Sequence, residues 1–330
     1  MKLTLPDKSI RDLKNGSTGF DLANDIGPGL AKAAVAVTVD GVQKDLHDPI
    51  MHDANISIIT IDSEEGLEIM RHTLAAQVLA RAVKNLYPKS KLAIGPTIKD
   101  GFYYDVECEE TISIDDLKNI EKEMDKIVKT KSSITKKLLS KKDAIKVFKD
   151  KDESYKEEII NDSDQEDQFQ LYYQDDEDFV DLCKGPHLPN LNFIGAYKLT
   201  TISGAYWKGD SSNTMLTRIY GTAWSNEKDL NEHLNNIEEA QKRDHRKLGK
   251  EMDLFHFQDE APGMVFWHPN GWSIYRNLRN FVRKRLQEND YIEVNTPQVI
   301  DRKLWEASGH WDKYRAVSYT HLTLPTIMPV

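Results

Sequence analysis

Short strand patterns separated by tight turns within residues 1–61 constrain the fold more than any other feature of the sequence. The segment Phe20–Ile26 has a helical pattern. Strand-like alternation on both sides of Asp40-Gly41 indicates a hairpin, because this dipeptide favours a two-residue turn. Two hairpins and one helix in so short a stretch predict a β-grasp, ubiquitin-like domain. No residue in this stretch has the pattern of a catalytic group.

A long amphipathic helix opens the next part of the chain. Its apolar stripe recurs at helical spacing and consists of Leu67, Met70, Leu74 and Val78. The pattern predicts one helix over Ser63–Leu86. A second helix opens at Ser113, where Asp116 three positions later completes a capping box. Because short strand patterns alternate with these helices, residues 62–224 are predicted to form an α+β domain.

Two further segments follow this domain. Residues 225–250 are polar and helical in pattern, which predicts a connector helix between domains. Trp272–Glu288 carries apolar residues on one side and predicts a helix. It leads into a strand pattern, Tyr291–Val294, that stops at Thr296-Pro297. The chain as a whole is predicted to be a multidomain α+β protein.

The composition is that of a soluble globular protein, since 30% of the residues are charged and 39% are hydrophobic. No apolar run approaches the ~20 residues of a membrane span, and the start of the chain is charged where a signal peptide would be apolar. The two cysteines, Cys108 and Cys183, are too few for a disulfide framework, which indicates a reduced compartment. We therefore expect a cytoplasmic protein that does not bind membranes.

Charge is distributed unevenly along the chain. Nine lysines and two aspartates lie between Lys129 and Lys151, whereas twelve acidic residues and one lysine lie between Asp152 and Asp178. In one interpretation, both runs are solvated surface. In the other, the lysine run is a face that contacts phosphates. The net charge of −10 argues against a simple nucleic-acid coat but does not decide between these interpretations.

The segment DLCKGPH carries the clearest chemical signal. His187 follows Cys183 by four positions, and Gly185-Pro186 between them argues against a helix. A tight turn would still aim both side chains into one pocket, with Asp181 beside them. Such a pair suits metal binding or activation of a water, and the alternative is a buried cysteine near a surface histidine. His72 is a lone histidine on the long helix, and it joins this site only if the fold brings it there.

Several long stretches of the chain resemble threonyl-tRNA synthetase. They are GPTIKDGFYYD, FVDLCKGPH, SGAYWKGDSSNTMLTRIYGTAW and the run from Asp244 to about Arg315. The resemblance covers nearly all of residues 1–315. It implies that residues 1–61 are a TGS domain and that residues 62–224 are a tRNA editing domain. Residues 225–250 would then connect to residues 251–315, the start of a class II aminoacylation domain built on an antiparallel sheet.

The same resemblance implies an editing pocket that pairs a His-x3-His motif with a Cys-x3-His motif. Cys183 and His187 match the second motif, and His72 matches the first histidine of the first motif. The second histidine falls on Ala76, followed by Gln77, so this chain departs from the family there. Either Gln77 supplies a polar partner from the next position of the helix, or proofreading is weakened; we expect retained activity.

The resemblance to the family also implies further pocket residues. The residues that match pocket-lining positions of the family are Lys156, Asp181, Tyr104 and Tyr173. We expect His72 and His187 to orient or deprotonate a water and Lys156 to stabilise the developing negative charge. Cys183 would shape the pocket or position the 3′-terminal adenosine. Hydrolysis without a metal is favoured over a zinc ion held by His72, Cys183 and His187.

The resemblance also implies the reaction of the intact enzyme, which is ATP-dependent attachment of threonine to tRNA-Thr. It implies ATP, Mg²⁺ and one Zn²⁺ as cofactors, and a homodimer, because Trp272–Pro297 resembles the interface motif 1. Motifs 2 and 3, which bind ATP, and the zinc ligands would lie downstream. This chain is therefore expected to be inactive in aminoacylation and to retain at most the editing of seryl-tRNA.

The last residues, 316–330, do not fit the resemblance. Val317–Thr326 reads as the translation of a transposase adapter used in DNA sequencing libraries, so we interpret this tail as adapter read-through. Two alternatives to a synthetase segment stay open. One is a free-standing editing hydrolase that acts on mischarged tRNA, and the other is a regulatory RNA-binding protein that uses the TGS domain without catalysis.

Overall fold

The computed structural model describes residues 1–174, 179–295 and 301–313. The predicted adapter tail and the Thr296-Pro297 strand end lie outside the described residues. The chain divides into two compact units, Met1–Glu239 and Ala240–Val330. Among the described residues, no helix has both the length and the apolar character needed to cross a membrane.

The amino-terminal part of the first unit is a mixed five-stranded sheet covered by two helices. Its strands are β1 (Lys2–Thr4), β2 (Ile10–Asp12), β3 (Ala34–Val39), β4 (Val42–Asp45) and β5 (Ala54–Thr60). The helices are α1 (Gly19–Ile26) and α2 (Pro28–Ala33). The strand order is β2-β1-β5-β3-β4, with β1 parallel to β5 and the other pairs antiparallel.

This arrangement confirms the β-grasp prediction. Asp40 and Gly41 turn the β3–β4 hairpin with φ angles of 49° and 83°, the left-handed region that Asp-Gly adopts readily. Leu3, Leu22 and Val37 are completely buried between the sheet and the helices. Strand β4 lies at one edge of the sheet, and this position directs its last residue, Asp45, toward the domain that follows.

The predicted helix over Ser63–Leu86 is present, but its middle is not α-helical. Helix α3 (Glu64–Thr73), capped by Ser63, continues into a π-helical segment, Leu74–Leu79, and then into α4 (Ala80–Leu86). All six side chains of the π-helical segment are buried. The adjoining α-helical turns are also largely buried, so apolar periodicity does not distinguish this wider turn from an α-helix.

Two sheets surround this helix. Their strands are β6 (Lys91–Leu92), β7 (Thr97–Ile98), β8 (Gly101–Glu107), β9 (Ile134–Leu139), β10 (Phe169–Gln174), β11 (Val180–Leu182), β12 (Ala196–Tyr206) and β13 (Met215–Trp224). The larger sheet has the order β12-β13-β8-β6, with β7 also paired to β8, and the smaller has the order β11-β10-β9. The α+β prediction is therefore confirmed.

Three helices complete this part of the unit. They are α5 (Leu117–Lys129), α6 (Lys141–Asp150) and α7 (Ser154–Asn161). The capping box of Ser113 and Asp116 is formed as predicted, ahead of α5. The main apolar cluster joins the central helix, α5 and the larger sheet, with Leu74, Phe102 and Ile120 completely buried. A separate cluster between α6, α7 and the smaller sheet contains Phe148 and Ile160.

The remaining helices and strands lie toward the carboxyl end. They are α8 (Glu227–Lys242), α9 (His245–Glu251), β14 (Phe255–His256), β15 (Phe266–Trp267), α10 (Pro269–Glu288) and α11 (Arg302–Ala307). The prediction of a single connector helix is wrong, because the Asp244 side chain accepts the Arg246 N–H and caps a new helix. The predicted strand at Tyr291–Val294 is also wrong, because among the described residues this segment pairs with no strand.

Candidate functional site

Three chemically active side chains that are far apart in the sequence meet in the first unit. His72 lies near the end of α3, Cys183 directly follows β11, and His187 comes four residues later. The ligand atoms of these residues all lie within 4.8 Å of one another. The turn that carries Cys183 and His187 depends on Gly185, which has a φ of +65°. A Cβ at Gly185 would lie 2.0 Å from the Tyr172 hydroxyl oxygen, so a larger residue does not fit.

His72 and Cys183 are in direct contact. The distance between His72 Nε2 and Cys183 Sγ is 2.7 Å. Burial raises the pKa of the Cys183 thiol to about 12 and lowers that of His72 below its ordinary value. Both groups are therefore neutral near pH 7, and the thiol S–H donates to an unprotonated Nε2. The Gly95 backbone also hydrogen-bonds to His72, which fixes the ring.

His187 is buried behind this pair. Its ring stacks on His72, with centroids 4.6 Å apart, and meets the edge of Tyr172 at 4.3 Å. Thr73 Oγ1 lies 3.1 Å from His187 Nδ1 and accepts the Leu188 N–H. Burial, followed by repulsion from His72, holds the pKa of His187 well below its ordinary range. Its Nε2 has no hydrogen-bond partner within the part of the chain that the structure describes.

A buried ion pair forms another wall of the site. Lys156 Nζ, on α7, lies 2.6 Å from Asp181 Oδ1, and these side chains are only 3% and 2% exposed. The Tyr104 hydroxyl donates to Asp181 Oδ2 at 2.9 Å, and the Leu182 N–H donates to Oδ1. Each Asp181 oxygen is therefore bonded, which is what a buried carboxylate requires.

These groups border a cavity of about 480 Å³. Its lining includes His72, Ala76, Lys156, Asp181 and Cys183. His187 instead lines a second cavity, of about 440 Å³, between the β-grasp domain and the α+β domain. Ala76, where the resemblance expects a second histidine, contributes only a methyl group to the main cavity.

Three predicted pocket residues do not line the main cavity, and one of them, Tyr104, is completely buried and bonds to Asp181. Tyr173 packs in the cluster with Phe148 and Ile160, and the ammonium of Lys137 lies 4.7 Å from its ring centre. Because side chains alternate along β10, Tyr172 is the residue that faces His187. Gln77 is buried beside Gln174, whose amide donates to the backbone oxygen of Gln77 at 2.6 Å and to its side-chain oxygen at 3.5 Å.

Three residues of the site were missed at the sequence level. Thr73, Tyr172 and Asp45 all contact the His187 segment. Tyr172 was detectable in principle, because strand alternation must place one of two adjacent tyrosines on each face. Thr73 has only its position beside His72 as a signal. Asp45 has no local signal, because its contact with His187 joins residues 142 positions apart.

The donor set of His72, Cys183 and His187 would suit zinc chemically, but its geometry differs from a zinc site. With Zn–N near 2.0 Å and Zn–S near 2.3 Å, tetrahedral ligand atoms lie about 3.5 Å apart. The 2.7 Å separation of His72 Nε2 and Cys183 Sγ is shorter and corresponds to a hydrogen bond. At this spacing His72 and Cys183 are not arranged as two tetrahedral zinc ligands.

The two neutral histidines make the stability of the fold sensitive to pH. Their pKa values are lowered in the folded state, so below about pH 6.5 the unfolded chain binds protons that the folded chain does not. The contribution of these histidines to the free energy of unfolding should be complete above pH 6.5. Below pH 6.5 the free energy of unfolding should fall by up to about 1.4 kcal/mol for each histidine and each pH unit. Urea unfolding at pH 7.5 and 5.5 measures the difference in the free energy of unfolding between the two pH values. The variant His187→Gln should show a smaller difference, whereas His52→Gln, which changes an exposed histidine, should show the same difference as the unmodified chain.

Comparison with known proteins finds two domain families that match parts of the first unit. The TGS domain family matches residues 1–60. The family described as the threonyl and alanyl tRNA synthetase second additional domain matches residues 170–220, which include β10, β11 and the Cys183–His187 turn. Two separate parts of the first unit are thus similar to these two domain families.

Curated relatives extend this similarity over almost the whole chain. Threonine–tRNA ligases from Prochlorococcus marinus and Hahella chejuensis are each 50% identical to it over 318 residues, 96% of the chain. The threonine–tRNA ligase of Psychrobacter cryohalolentis is 48% identical over the same share. The chain spans about half the length of these relatives, 49–50%. Over that half, the chain is similar to threonine–tRNA ligases, as the sequence resemblance implied.

Proposed function

We propose that the first unit hydrolyses the ester bond of seryl-tRNA-Thr, in which the tRNA for threonine carries serine instead. The observation that carries this proposal is the contact between His72 and Cys183 at the wall of a cavity that also contains a buried lysine. A neutral imidazole beside such a cavity suits a group that orients and deprotonates water. The cavity volume of about 480 Å³ is in the range of small-molecule pockets.

The physical need for a second hydrolytic site lies in the chemistry of the substrates. Serine differs from threonine by one missing methyl group, and a pocket discriminates such a difference by only ~1–3 kcal/mol, or roughly 10–200-fold. A site that hydrolyses the wrong ester after synthesis supplies the remaining discrimination. This reasoning supports the assignment of residues 62–224 as an editing domain that follows a TGS domain over residues 1–61.

In the proposed reaction the Cys183 S–H gives up its bond to His72 Nε2, and a water that takes its place attacks the ester carbonyl while its proton passes to that nitrogen. The C–O bond to the ribose breaks, and the leaving 3′ oxygen takes up the proton that His72 received. Lys156, held by Asp181, stabilises the negative charge on the carbonyl oxygen. Cys183 keeps the His72 ring in place and shapes the cavity, and His187 supports both from behind. Tyr104 fixes the orientation of Asp181.

The proposal for the whole protein extends beyond this chain. It is a threonine–tRNA ligase that uses ATP and Mg²⁺, holds one Zn²⁺, and acts on threonine and tRNA-Thr as a cytoplasmic homodimer. In this proposal residues 225–250 connect to a class II domain that begins at residues 251–315. The names of the relatives support the ligase activity.

Deacylation of seryl-tRNA-Thr by the purified chain tests the proposed hydrolysis. We expect release of serine well above the rate in buffer, slower release from threonyl-tRNA-Thr, and an unchanged rate after removal of metals with a chelator. Absence of any acceleration would overturn the proposal. Binding of tRNA without deacylation would instead favour a non-catalytic RNA-binding protein, and loss of activity on chelation would overturn the metal-free mechanism.

A further inference from the structure

The carboxylate of Asp45 connects the TGS domain to the hydrolytic site. Asp45 is the last residue of the edge strand β4, and its side chain is 15% exposed. Its Oδ1 accepts the backbone N–H of His187 at 2.8 Å. Its Oδ2 accepts the hydroxyl of Tyr172 at 2.8 Å and lies 2.7 Å from Nζ of Lys136. One side chain of the first domain therefore bonds to three groups of the second.

We propose that Asp45 is a positioning residue for the editing reaction, so that the TGS domain forms part of the hydrolytic site. This inference rests on the proposed function. Asp45 is not among the described residues that line the main cavity. It acts instead through the turn that carries Cys183 and His187.

The contacts of Asp45 explain how a residue outside the cavity controls the site. The bond to the His187 N–H fixes the backbone at the end of the turn. The bond to the Tyr172 hydroxyl fixes the ring that meets the His187 imidazole edge-on. That imidazole stacks on His72, whose Nε2 contacts Cys183. A shift of the turn would therefore move both partners of His72.

The electrostatic setting of Asp45 supports the same role. Burial, together with the adjacent carboxylate, raises the pKa of Tyr172 far above its ordinary value, so its hydroxyl stays a hydrogen-bond donor at every pH of interest. Lys136 lies between Asp45 and Asp48, at 2.7 and 2.5 Å. The carboxylate is therefore balanced by a cation and is available to accept the His187 N–H.

Asp48 provides a matched control. It shares Lys136 with Asp45 and has similar exposure, 19% against 15%. Among the contacts of the described residues, its carboxylate makes no hydrogen bond to His187 or Tyr172. Replacing Asp48 removes the same charge from the same interface without releasing the turn, so the pair of variants separates positioning from interface electrostatics.

The experiment compares Asp45→Ala, Asp45→Asn and Asp48→Ala in the full chain. For Asp45→Ala we expect kcat for seryl-tRNA deacylation to fall by about 10–100-fold with little change in KM, because a displacement near 1 Å can cost that much in rate. Asp45→Asn keeps the Oδ1 acceptor for the His187 N–H and should retain most of the activity. Asp48→Ala should match the unmodified chain. Equal losses in Asp45→Ala and Asp48→Ala, or no loss in either, would overturn the inference.

An NMR measurement separates failure of this inference from failure of the proposed hydrolysis. The imidazole signals of His187, assigned with His187→Gln, should shift in Asp45→Ala and stay in place in Asp48→Ala. This readout does not require deacylation activity. If Asp45→Ala does not fold, Tyr172→Phe removes one of the same bonds, and it should also shift the His187 signals. Unmoved His187 signals in these variants would overturn the role of Asp45 even if the chain deacylates seryl-tRNA.

Discussion

Replacing His72 with alanine is expected to lower the rate of seryl-tRNA deacylation by about 10²–10⁴-fold, the contribution typical of a positioned acid–base group. The reason lies in the geometry of the site. His72 is the histidine that lines the main cavity, and its lowered pKa leaves Nε2 unprotonated and able to accept a proton near pH 7. Single-turnover deacylation with excess enzyme measures this loss directly, because it separates the hydrolytic step from product release.

Two further variants test whether the loss is specific. His187→Ala should also lower the rate, because it removes the ring that stacks on His72 and opens a gap behind it. His52→Ala changes an exposed histidine of the TGS domain whose contact is with Asp40, and it should leave the rate unchanged. Thermal unfolding of each variant shows whether the fold is retained. A folded His72→Ala variant with the unmodified rate would remove His72 from the mechanism.

Replacing Lys156 with methionine is expected to reduce the free energy of unfolding by about 3–5 kcal/mol, because it leaves Asp181 as a buried carboxylate without its cation. Lys156 and Asp181 are 3% and 2% exposed, so solvent screens the unpaired carboxylate only weakly. The bonds from Tyr104 and Leu182 to Asp181 remain, which places the expected loss toward the lower end of that range. Urea unfolding followed by circular dichroism measures the change.

The double variant Lys156→Met with Asp181→Leu should be more stable than Lys156→Met alone, since replacing both members of a buried pair by apolar residues removes the unpaired charge. Lys208→Met is the control, because Lys208 bonds to Glu158 and Asp162 at the surface, where ion pairs contribute little. A loss for Lys156→Met no larger than that for Lys208→Met would show that the buried pair is not needed for stability. Deacylation should be lost in both Lys156 variants.

The departure at Ala76 leaves His72 as the histidine that lines the main cavity among the described residues. Ala76 lines the main cavity with a methyl group, whereas Gln77 is buried against Gln174. The proposed role of Gln77 as a polar substitute finds no support in this arrangement. The imidazole of His72 and the ammonium of Lys156 are therefore the groups that we expect to act on the ester within the described lining of the cavity.

Local sequence signals were sufficient where a short stretch of chain decides the conformation. Asp40-Gly41 forms the predicted hairpin turn because its backbone angles suit these two residues. Ser113 and Asp116 form the predicted capping box because both partners lie within one helical turn. The same signals failed at Leu74–Leu79, where the helix is π-helical although its apolar spacing is that of an α-helix. They also failed at Asp244, where a new helix begins inside a continuous polar pattern.

The sequence by itself determined the β-grasp and α+β domains and the turn that carries Cys183 and His187. These depend on periodicity, turn residues and glycine geometry, all of which act over a few residues. Only the tertiary structure decided that His72 meets Cys183 across 111 positions and that Asp45 holds His187 across 142. Contacts of this kind depend on which buried surfaces pack together, and that packing is a property of the whole fold.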